Sequence, residues 1–427
     1  MMRTLSLIAL IFVAGVTAVV AAGCELQVKD PRPIIVKRFG SKTAIVRRAL
    51  DRLNMFPNET TTFHCPTGIN FNSVNSRDAT KLNVATAELL CTEEGLFLGS
   101  NQIIQQPRTS GIISCSGGFS KRLYESNSSL IGCSDDQMTL VVGYRLQGLP
   151  DVKILGICYD LSAMRFRFVS FLASAATNLL LELNTENELN DVHLDVDIGS
   201  LSTYFRFPTQ SEFKQIQQQP QHDLGDLFDA KLFEYDSLLQ DPEQKRKLSA
   251  YGDMLSIVWL RSLRSGNWRH FLSALRNTHV DFDVRLGVSD IATLPLAYNC
   301  NATRPLQFVG STEDSSVPVP VPKYIWAHVR SLYPTDNVHD EFVVVAHNSP
   351  YANVLELSSF CADICSEITW LSDTLFGQLH LVPNYGVMHC CRPDQLNKLT
   401  DFPRIEPPPP PPPPTILKTT TPSTVLL

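Results

Sequence analysis

The sequence predicts an α+β protein in which a small disulfide-containing, β-rich region precedes a larger mixed domain. Three observations support this fold class: short β-branched runs separated by cysteines and turn residues up to about residue 149, a helical repeat that begins at Trp268, and further strand-like runs after that helix. The chain has 427 residues, of which 44% are hydrophobic, so it is long enough to form two hydrophobic cores. We therefore expect domains at 24–149 and 150–403.

Residues 24–149 form the predicted β-rich region. Apolar runs such as Gly111–Ser114 and Met138–Tyr144 alternate with Gly, Ser, Asn and Pro, which is the pattern of strands joined by turns. Small extracellular domains of this kind are commonly held together by disulfides, and five cysteines are spread over this region: Cys24, Cys65, Cys91, Cys115 and Cys133.

Residues 150–403 combine strands with at least one amphipathic helix. Trp268, Phe271, Leu272 and Leu275 follow the spacing i, i+3, i+4, i+7, which predicts a helix with Ser265 as its N-cap. Strands are predicted on either side of this helix, at Val152–Tyr159, Phe282–Val288, Tyr324–Val329 and Glu341–Ala346. Because strands and helices fall in separate runs, the pattern favours α+β over alternating α/β.

The two ends of the chain differ from the rest. Residues 1–23 place Arg3 before an apolar run that ends in Ala21, Ala22 and Gly23, the layout of a cleaved secretory signal peptide. The run is also about long enough to span a bilayer, which leaves an uncleaved anchor as an alternative; no second such stretch follows, so no membrane contact is expected after cleavage. Residues 404–427 contain eight consecutive prolines and a Thr-rich end, which predicts a disordered Pro/Thr-rich tail.

The cysteines and glycosylation sequons agree with secretion. The chain has eleven cysteines, all after the signal: the five named above, then Cys158, Cys300, Cys361, Cys365, Cys390 and Cys391. An odd number leaves at least one thiol free or paired with another chain in an intermolecular disulfide. The spacings lack the paired C-x-x-C of a zinc site. Sequons at Asn58, Asn127 and Asn301 predict glycosylation, and together these features predict a secreted, extracellular glycoprotein.

The net charge is −7, from 36 basic and 43 acidic residues. Nonspecific affinity for nucleic acid depends on Lys and Arg neutralising phosphates. The charge therefore argues against a protein whose main role is to coat polyanions, while it leaves room for a local basic cleft.

Five stretches in the second region carry a family resemblance when they are taken in order. They are Gly266–Trp268, Val284–Pro295, Val319–Trp326, Ala346–Tyr351 and Met388–Cys391, with a weaker match at Ile157–Asp160. Their order and spacing resemble the secreted arthropod branch of the DNA/RNA non-specific endonucleases, which are related to endonuclease G. The resemblance covers about residues 150–403 and implies a ββα-metal (His-Me-type) nuclease-like domain.

The resemblance also implies a site chemistry. In such enzymes the histidine of an Arg-Gly-His motif is the general base for the attacking water, and an asparagine at the start of the next helix binds a hydrated Mg²⁺. Counting back from Gly266–Trp268 puts Arg264 at the metal-ligand position. The supporting polar positions, usually Asn and Gln, hold Leu255 and Trp259.

The general-base motif aligns further upstream. Leu224, Gly225 and Asp226 stand where the family has Arg, Gly and His, and Phe233 matches the aromatic residue that follows. This alignment needs an insertion of about eight residues relative to the family, which we place at 240–247 as a loop. The general-base position is then Asp226.

These substitutions predict a catalytically impaired pseudo-nuclease. A guanidinium offers only hydrogen-bond donors and stays charged, so Arg264 repels Mg²⁺ instead of binding it. Leu255 and Trp259 remove groups that would orient a hydrated metal. The ordinary pKa of an Asp carboxyl is about 3.9, so Asp226 is a weak base at neutral pH. No cofactor is expected, and Mg²⁺ is implied only if the protein is active.

Several residues offer alternative chemistry. A new metal site is conceivable at His222, Asp223, Asp226 and Asp229, against the simpler reading of a solvated acidic turn. A different histidine, His270 or His347, is an alternative base, against a packed or surface role. Arg261, Arg264 and Arg269, with Arg276 on the same stretch, are candidate phosphate-binding residues, and Arg264 is alternatively an ion-pair partner of Asp226.

Three functions remain open from the sequence. The first is a secreted endonuclease-like protein that binds DNA, RNA or another polyanion without cleaving it. The second is an active metal-dependent endonuclease that cleaves DNA and RNA phosphodiesters. The third is an extracellular partner-binding protein with no role in nucleic-acid chemistry, which the net negative charge favours.

Overall fold

The computed structural model describes residues 23–403 except 47–49, 74–79, 83, 99–101, 106–109, 147, 149, 164, 175–179, 183–186, 200–206, 219–229, 297–298, 313–314, 336–339, 351–360, 397–398 and 400–401. The signal sequence and the Pro/Thr-rich tail lie outside these residues. Within them the chain is rich in strands and has few, short helices.

The N-terminal part consists of two β-sheets that enclose one core. Its strands are β1 (Cys24–Val28), β2 (Ile34–Phe39), β3 (Lys42–Val46), β4 (Arg52–Met55), β5 (Thr60–His64), β6 (Ile69–Ser73), β7 (Thr80–Leu82), β8 (Thr86–Thr92), β9 (Gly95–Leu98), β10 (Gln102–Gln105) and β11 (Ser110–Cys115). One sheet has the order β4-β1-β11-β6-β7, and the other contains β10-β9-β8-β5-β2-β3. Alternate residues of β1 and β8 are buried, as expected for sheets that pack on one face.

Two disulfides fasten this part. Cys24 in β1 pairs with Cys91 in β8, which joins the two sheets across the core, and Cys65 pairs with Cys115 at the end of β11. Both lie among buried apolar side chains such as Phe63 and Leu89. The predicted disulfide-containing β-rich region is therefore present.

A nine-stranded antiparallel sheet forms the centre of the remaining chain. Its strands are β12 (Arg122–Ser126), β13 (Met138–Tyr144), β14 (Val152–Asp160), β15 (Arg165–Ala173), β17 (Val196–Gly199), β20 (Phe282–Ile291), β25 (Pro322–Ser331), β26 (Glu341–His347) and β27 (Met388–Cys391). Their order is β17-β12-β13-β14-β15-β20-β25-β26-β27. Gly287 lies opposite Trp326, and a Cβ at this glycine would lie 2.1 Å from the indole ring, so the packing requires glycine there.

Strand pairing crosses the boundary that the sequence predicts at residue 149. β12 and β13 belong to the nine-stranded sheet, where β13 pairs with β14 and the Cys133–Cys158 disulfide reinforces the pairing. Conversely, β16 (Leu180–Glu182) adds to β3 at the edge of the seven-stranded N-terminal sheet. The sequence pattern gave no sign of this exchange because β-branched alternation identifies a strand but not its partner.

Among the described residues, three hairpins and seven short helices surround the large sheet. The hairpin strands are β18 (Phe233–Ser237), β19 (Ser256–Leu260), β21 (Thr293–Leu296), β22 (Asn299–Pro305), β23 (Gln307–Thr312) and β24 (Ser315–Pro320). The helices are α1 (Glu188–Asp191), α2 (Gln210–Gln218), α3 (Pro242–Lys247), α4 (Arg261–Leu263), α5 (Arg269–Asn277), α6 (Thr369–Ser372) and α7 (Leu375–Leu379).

The helix predicted around Trp268 is present and is preceded by a separate helical turn. α4 begins at Arg261, and the chain kinks at Gly266, whose backbone is non-helical (φ −98°, ψ −113°), before it continues into α5. Ser265 is not the N-cap; its hydroxyl donates to the carbonyl of Arg261 inside the helix at 2.7 Å. The predicted loop at 240–247 likewise contains α3, whose Pro242 occupies the first helical position, where proline is tolerated.

Two more disulfides tie the loop that contains Cys361 and Cys365 to β27. They join Cys361 to Cys391 and Cys365 to Cys390, so the adjacent cysteines on β27 bind two separate points of that loop. Ten cysteines are thus paired, and the side chain of Cys300, on which an intermolecular disulfide would depend, lies outside the described part. Within the described ranges, no helix is both long and apolar enough to span a bilayer.

Candidate functional site at the hairpin–helix junction

The candidate site lies where the hairpin β18–β19 passes directly into α4. The two strands pair from Phe233–Leu260 to Ser237–Ser256, and Leu260 is immediately followed by the first helical residue. One face of β18 is aromatic: the ring of Tyr235 stacks on Phe213 of α2 at 4.8 Å between centroids, and Phe233 packs against Phe308. Glu234 and Asp236 therefore project from the opposite face, because successive strand residues alternate.

Arg264 occupies the centre of this junction. Its guanidinium donates from Nε to Glu234 and from Nη1 to Asp236 Oδ2 at 2.8 Å and Gln240 Oε1 at 3.0 Å. The side chain is 25% exposed, and those of Glu234 and Asp236 are 22% and 12% exposed. Arg264 is thus a half-buried cation that binds two strand carboxylates at once.

Lys245 of α3 adds a second cation to the same cluster. Its ammonium lies 2.6 Å from Oδ1 and 2.8 Å from Oδ2 of Asp236. Burial raises the pKa of Asp236, but the hydrogen bonds from Lys245 and from the Ser237 N–H, together with the charge of Arg264, hold the pKa below its usual range. Asp236 is therefore ionised at neutral pH.

The pKa of Arg264 itself is raised. Burial lowers it, and the hydrogen bond and charge of Glu234, with the charge of Asp236, more than offset that effect. Position 264, which the sequence resemblance aligns with a metal ligand, therefore carries a permanent positive charge whose donors are directed at carboxylates. A divalent cation has no lone pair to bind on Arg264, and it would meet the repulsion of a neighbouring guanidinium.

The two residues that the sequence resemblance places in a supporting role, Leu255 and Trp259, lie in the hydrophobic core. Leu255 is 1% exposed, and Trp259 is fully buried with its ring 5.3 Å from that of Trp268. The indole Nε1–H of Trp259 donates to the backbone carbonyl of Asp236 at 3.1 Å, so its single polar group is engaged in the hairpin. These residues offer no oxygen ligand, so the side chains at 255, 259 and 264 do not fit a hydrated Mg²⁺.

Two buried asparagines fix the junction. Asn348, fully buried after β26, accepts from Leu260 N–H at 2.5 Å and donates to the carbonyls of Val258 and Pro322 at 2.8 and 2.9 Å. It thereby fastens β19 to the large sheet.

Asn267 holds the other side of the junction. Its amide donates to the carbonyls of Leu379 at 2.6 Å and Gly386 at 2.5 Å. Gly266 lies so close to Tyr385 that a Cβ would be 2.4 Å from its carbonyl oxygen. The Gly-Asn-Trp stretch thus seats the helix on a neighbouring loop, which is a structural role.

A cavity of about 540 Å³ opens beside the ion cluster. Asp236 and Lys245 form part of its wall, together with hydroxyl-bearing residues such as Ser211 and the apolar side chains of Leu239 and Leu248. α2 is capped at this edge by a reciprocal pair, in which Thr209 N–H donates to Glu212 Oε2 at 2.7 Å and Glu212 N–H donates to Thr209 Oγ1 at 3.2 Å. Burial and the charge of Glu212 raise the pKa of Asp253 on the opposite wall.

The two histidines considered as alternative bases lie apart from this cluster. His270 is on α5 with its ring 6.1 Å from Tyr385. His347 is 7% exposed at the end of β26, packed edge-on against Tyr324 and 5.5 Å from the ring of His389. Burial, with the nearby His389 and Lys323, lowers the pKa of His347 to about 3. His347 is therefore a neutral packed side chain at neutral pH.

His380 and Asp363 form a separate, partly buried ion pair near β27. His380 Nε2 lies 2.9 Å from Asp363 Oδ2, and its Nδ1 lies 2.8 Å from the carbonyl of Gly377. Both partners accept, so the ring satisfies both only as an imidazolium. Asp363 Oδ1 also accepts the N–H groups of Cys365 and Cys390, which couples the pair to a disulfide.

The His380 pair predicts a pH dependence of stability. Burial lowers the pKa of His380, but the hydrogen bond and charge of Asp363 and the carbonyl of Gly377 raise it overall. A raised folded pKa contributes stability that is complete below the unfolded value near 6.5 and is lost as pH rises through the folded pKa. His380→Gln should therefore lower the unfolding free energy by about 1 kcal/mol at pH 5.5 and by less at pH 9.

The measurement is urea unfolding of both proteins at the two pH values. Taking the difference between wild type and variant cancels the titration of distant groups, while His389, which faces the pair, is present in both. His279, an exposed histidine in the turn after α5, provides the control His279→Gln. An equal loss at both pH values would contradict an imidazolium at position 380.

The remaining predicted site residues divide into two groups. Leu224, Gly225 and Asp226, with His222, Asp223 and Asp229, lie outside the described residues, so neither the general-base position nor its pairing with Arg264 is placed. Arg261 and Arg269 are exposed, and Arg261 Nε lies 4.0 Å from Glu234. Arg264 differs from both, because Glu234 and Asp236 already bind its guanidinium.

The predicted glycosylation sites are partly placed. Asn58 and Asn127 are exposed, in the turn before β5 and after β12, respectively. Asn301 lies on β22, and its side chain is outside the described part. Exposure at the first two positions is compatible with glycan attachment.

Glu234, Asp236 and Lys245 are the residues of the candidate site that the sequence analysis missed. The signal for the first two was present: two carboxylates spaced i, i+2 in the run Phe233–Ser237 share one strand face. Nothing local relates that face to Arg264, because the contact spans about thirty residues of chain. Lys245 was hidden in the segment predicted to be a loop.

No protein-family model matches the sequence, and a search of curated proteins finds no match.

Proposed function

We propose that this protein is a secreted, nuclease-like protein of the DNA/RNA non-specific endonuclease type that has lost phosphodiester cleavage and retains weak binding to nucleic acid or another polyanion. The observation that carries the proposal is Arg264 at the start of the helix, fastened by Glu234 and Asp236 of the preceding hairpin. In this position an enzyme of the family would place the metal-binding asparagine.

The local order of elements supports the nuclease-like assignment. Strand β18, strand β19 and the helix that begins at Arg261 follow one another as hairpin and helix, the succession that gives the ββα-metal motif its name. The motif stretches on which the resemblance rests lie on this unit and on β20, β25, β26 and β27 of the sheet behind it. Five disulfides support secretion, because such bonds persist in oxidising compartments.

The chemistry of the junction supports the loss of cleavage. Metal catalysis needs oxygen or nitrogen ligands with free lone pairs, and positions 255, 259 and 264 supply a leucine, an indole and a guanidinium. The cluster is also electrically balanced without an ion: Arg264 and Lys245 face Glu234 and Asp236. Both observations favour a stable ion-pair cluster over a metal site.

Binding to polyanions is assigned to Arg261 and Arg269. Both are exposed on the helix that begins at the junction, whereas Arg264 is committed to its carboxylates. Two exposed arginines and a net charge of −7 support only a weak, salt-sensitive interaction.

Fluorescence anisotropy with a labelled 20-nucleotide single strand tests this binding. At low ionic strength the wild-type protein should bind with a dissociation constant in the micromolar range or weaker, and raising NaCl from about 50 to 200 mM should weaken binding about sevenfold, as expected for two phosphate contacts to a single strand. The double variant Arg261→Ala, Arg269→Ala should lose most of this affinity, since each arginine contributes a phosphate contact.

Arg38→Ala is the matched control, because Arg38 is exposed on β2 in the N-terminal sheet. It should leave binding unchanged. Equal affinity of wild type and double variant would remove the helix from the proposal, and salt-independent or undetectable binding would favour the second candidate.

The second candidate is an extracellular partner-binding protein. The net charge of −7 favours it, because long-range repulsion opposes association with nucleic acid. In that case the ion cluster around Arg264 and the hydrogen bonds of Asn267 and Asn348 serve only to stabilise the fold.

A further inference from the structure

The turn that joins β4 to β5 carries a glycosylation sequon and, two residues before its asparagine, an exposed phenylalanine. Phe56, Asn58 and Thr60 follow one another at every second position. Phe56 is 74% exposed, the highest value of any large apolar side chain among the described residues. It continues the outward face of β4, because Leu53 and Met55 point into the core. The fold therefore holds a phenyl ring in solvent close to a candidate attachment site.

The conformation of this turn is fixed by its sequence and by its backbone hydrogen bonds. Asn58 has a φ of +64°, and Glu59 N–H donates to the carbonyl of Phe56 at 3.0 Å. Pro57 precedes Asn58, and its ring sets φ to about −65°, so these are the features of a type II turn. Asn58 N–H also donates to the carbonyl of Cys91 at 2.7 Å, which ties the turn to β8.

The middle residue of the sequon, Glu59, is directed away from solvent. Its Oε1 lies 2.7 Å from Nζ of Lys37, and both side chains are at most 10% exposed. Its other oxygen, Oε2, accepts the N–H of Phe56 at 2.8 Å. Asn58 is exposed, as is Phe56. The solvent side of the turn therefore presents an amide and a phenyl ring, while the carboxylate is engaged on the inner side.

A sugar attached to Asn58 lies within reach of this ring. Two residues of chain span at most about 7 Å, a distance comparable to the length of one sugar and its linkage. N-acetylglucosamine has a face of C–H groups, and packing that face on an aromatic ring removes apolar surface from water. The sequon at Asn127 has no such ring, because the residue two positions before it is Glu125 of β12.

We propose that Asn58 carries an N-linked glycan whose first N-acetylglucosamine packs its C–H face on the ring of Phe56. In the attachment step, Nδ2 of Asn58 bonds to C1 of the sugar, and the C1–O bond to a lipid diphosphate donor breaks. The lipid diphosphate leaves, and one amide proton is released. The packed sugar covers the exposed ring and stabilises the turn. The proposal rests on secretion, which belongs to the proposed function, and is independent of the hairpin–helix junction.

Mass spectrometry of glycopeptides tests the attachment. The full chain is expressed in a eukaryotic cell line and purified, and Asn58 should carry a glycan. Asn127, which is also exposed, reports independently on entry into the secretory pathway. A glycan on Asn127 with none on Asn58 would overturn the proposal and leave secretion standing. Absence of glycan from both asparagines would overturn the proposal together with secretion.

Thermal unfolding tests the contact with the ring. Endoglycosidase H leaves one N-acetylglucosamine on each high-mannose site, and this single sugar should be sufficient. In protein trimmed in this way, Phe56→Ala should lower the melting temperature by about 2–4 °C. In the Asn58→Gln background, which has no sugar at this position, Phe56→Ala should leave the melting temperature almost unchanged.

Tyr333→Ala is the matched control, because Tyr333 is a 61% exposed aromatic residue in the turn after β25. Its effect on the melting temperature should be the same in both backgrounds. Phe56→Tyr, which keeps the ring, should retain the stability of the trimmed protein. An equal effect of Phe56→Ala with and without the sugar on Asn58 would overturn the contact.

Discussion

Replacing Arg264 by methionine is expected to lower the unfolding free energy by about 2–3 kcal/mol. The loss arises because Glu234 and Asp236 keep their positions and lose the guanidinium that binds both. Removing one partner of a buried ion pair costs about 3–5 kcal/mol, and we reduce this because Arg264 is one-quarter exposed and Lys245 still neutralises part of Asp236.

Urea unfolding measures this effect, with Arg261→Met as the matched control. Arg261 is 57% exposed, and its Nε lies as far as 4.0 Å from Glu234 Oε2. Its replacement should therefore cost about 0.5 kcal/mol or less. Adding Glu234→Gln to Arg264→Met should restore part of the stability, since an amide needs no counter-charge. If Arg264→Met were as stable as Arg261→Met, the ion cluster would not contribute to the stability of the fold.

Asn348→Leu is expected to destabilise the protein by about 3–5 kcal/mol. The substitution leaves the N–H of Leu260 and the carbonyls of Val258 and Pro322 buried without their hydrogen-bond partner. The side chain is fully buried, so water cannot replace it without rearrangement.

Thermal and urea unfolding check this prediction, with Asn277→Leu as the control at an exposed position at the end of α5. Asn348→Asp should fall between wild type and Asn348→Leu: it keeps the acceptor for Leu260 and loses the donors for the two carbonyls. A cost below about 1 kcal/mol for Asn348→Leu would show that β19 is held to the sheet by apolar packing alone.

The sequence predicted single elements well where one period ran without interruption. The spacing of Trp268, Phe271 and Leu275 identified the helix because one face packs into the core, and all three are buried. The runs at Phe282–Val288 and Tyr324–Val329 identified two strands that turn out to be neighbours. Ser265 resembles an N-cap in the sequence, but its hydroxyl donates to the carbonyl of Arg261 in the preceding turn, and the chain kinks at Gly266.

Features that depend on long-range contacts were not predictable from local pattern. The exchange of strands across residue 149 depends on pairings such as β16 with β3, which lie well over a hundred residues apart. The cluster around Arg264 is similar: the sequence drew attention to Arg264 and its positive charge, and only the fold brings Glu234 and Asp236 to it. A single sequence holds no pairwise information of that kind.

A metal-dependent cleavage assay tests the central claim most directly. The purified protein is incubated with supercoiled plasmid and with labelled RNA in Mg²⁺ or Mn²⁺, alongside EDTA controls and the variants Arg264→Asn and Asp226→Ala. We predict no cleavage above the EDTA background for the wild-type protein, because positions 255, 259 and 264 provide no metal ligand. If the wild-type protein cleaves in a metal-dependent manner and either substitution changes that cleavage, the result would contradict the proposed loss of activity.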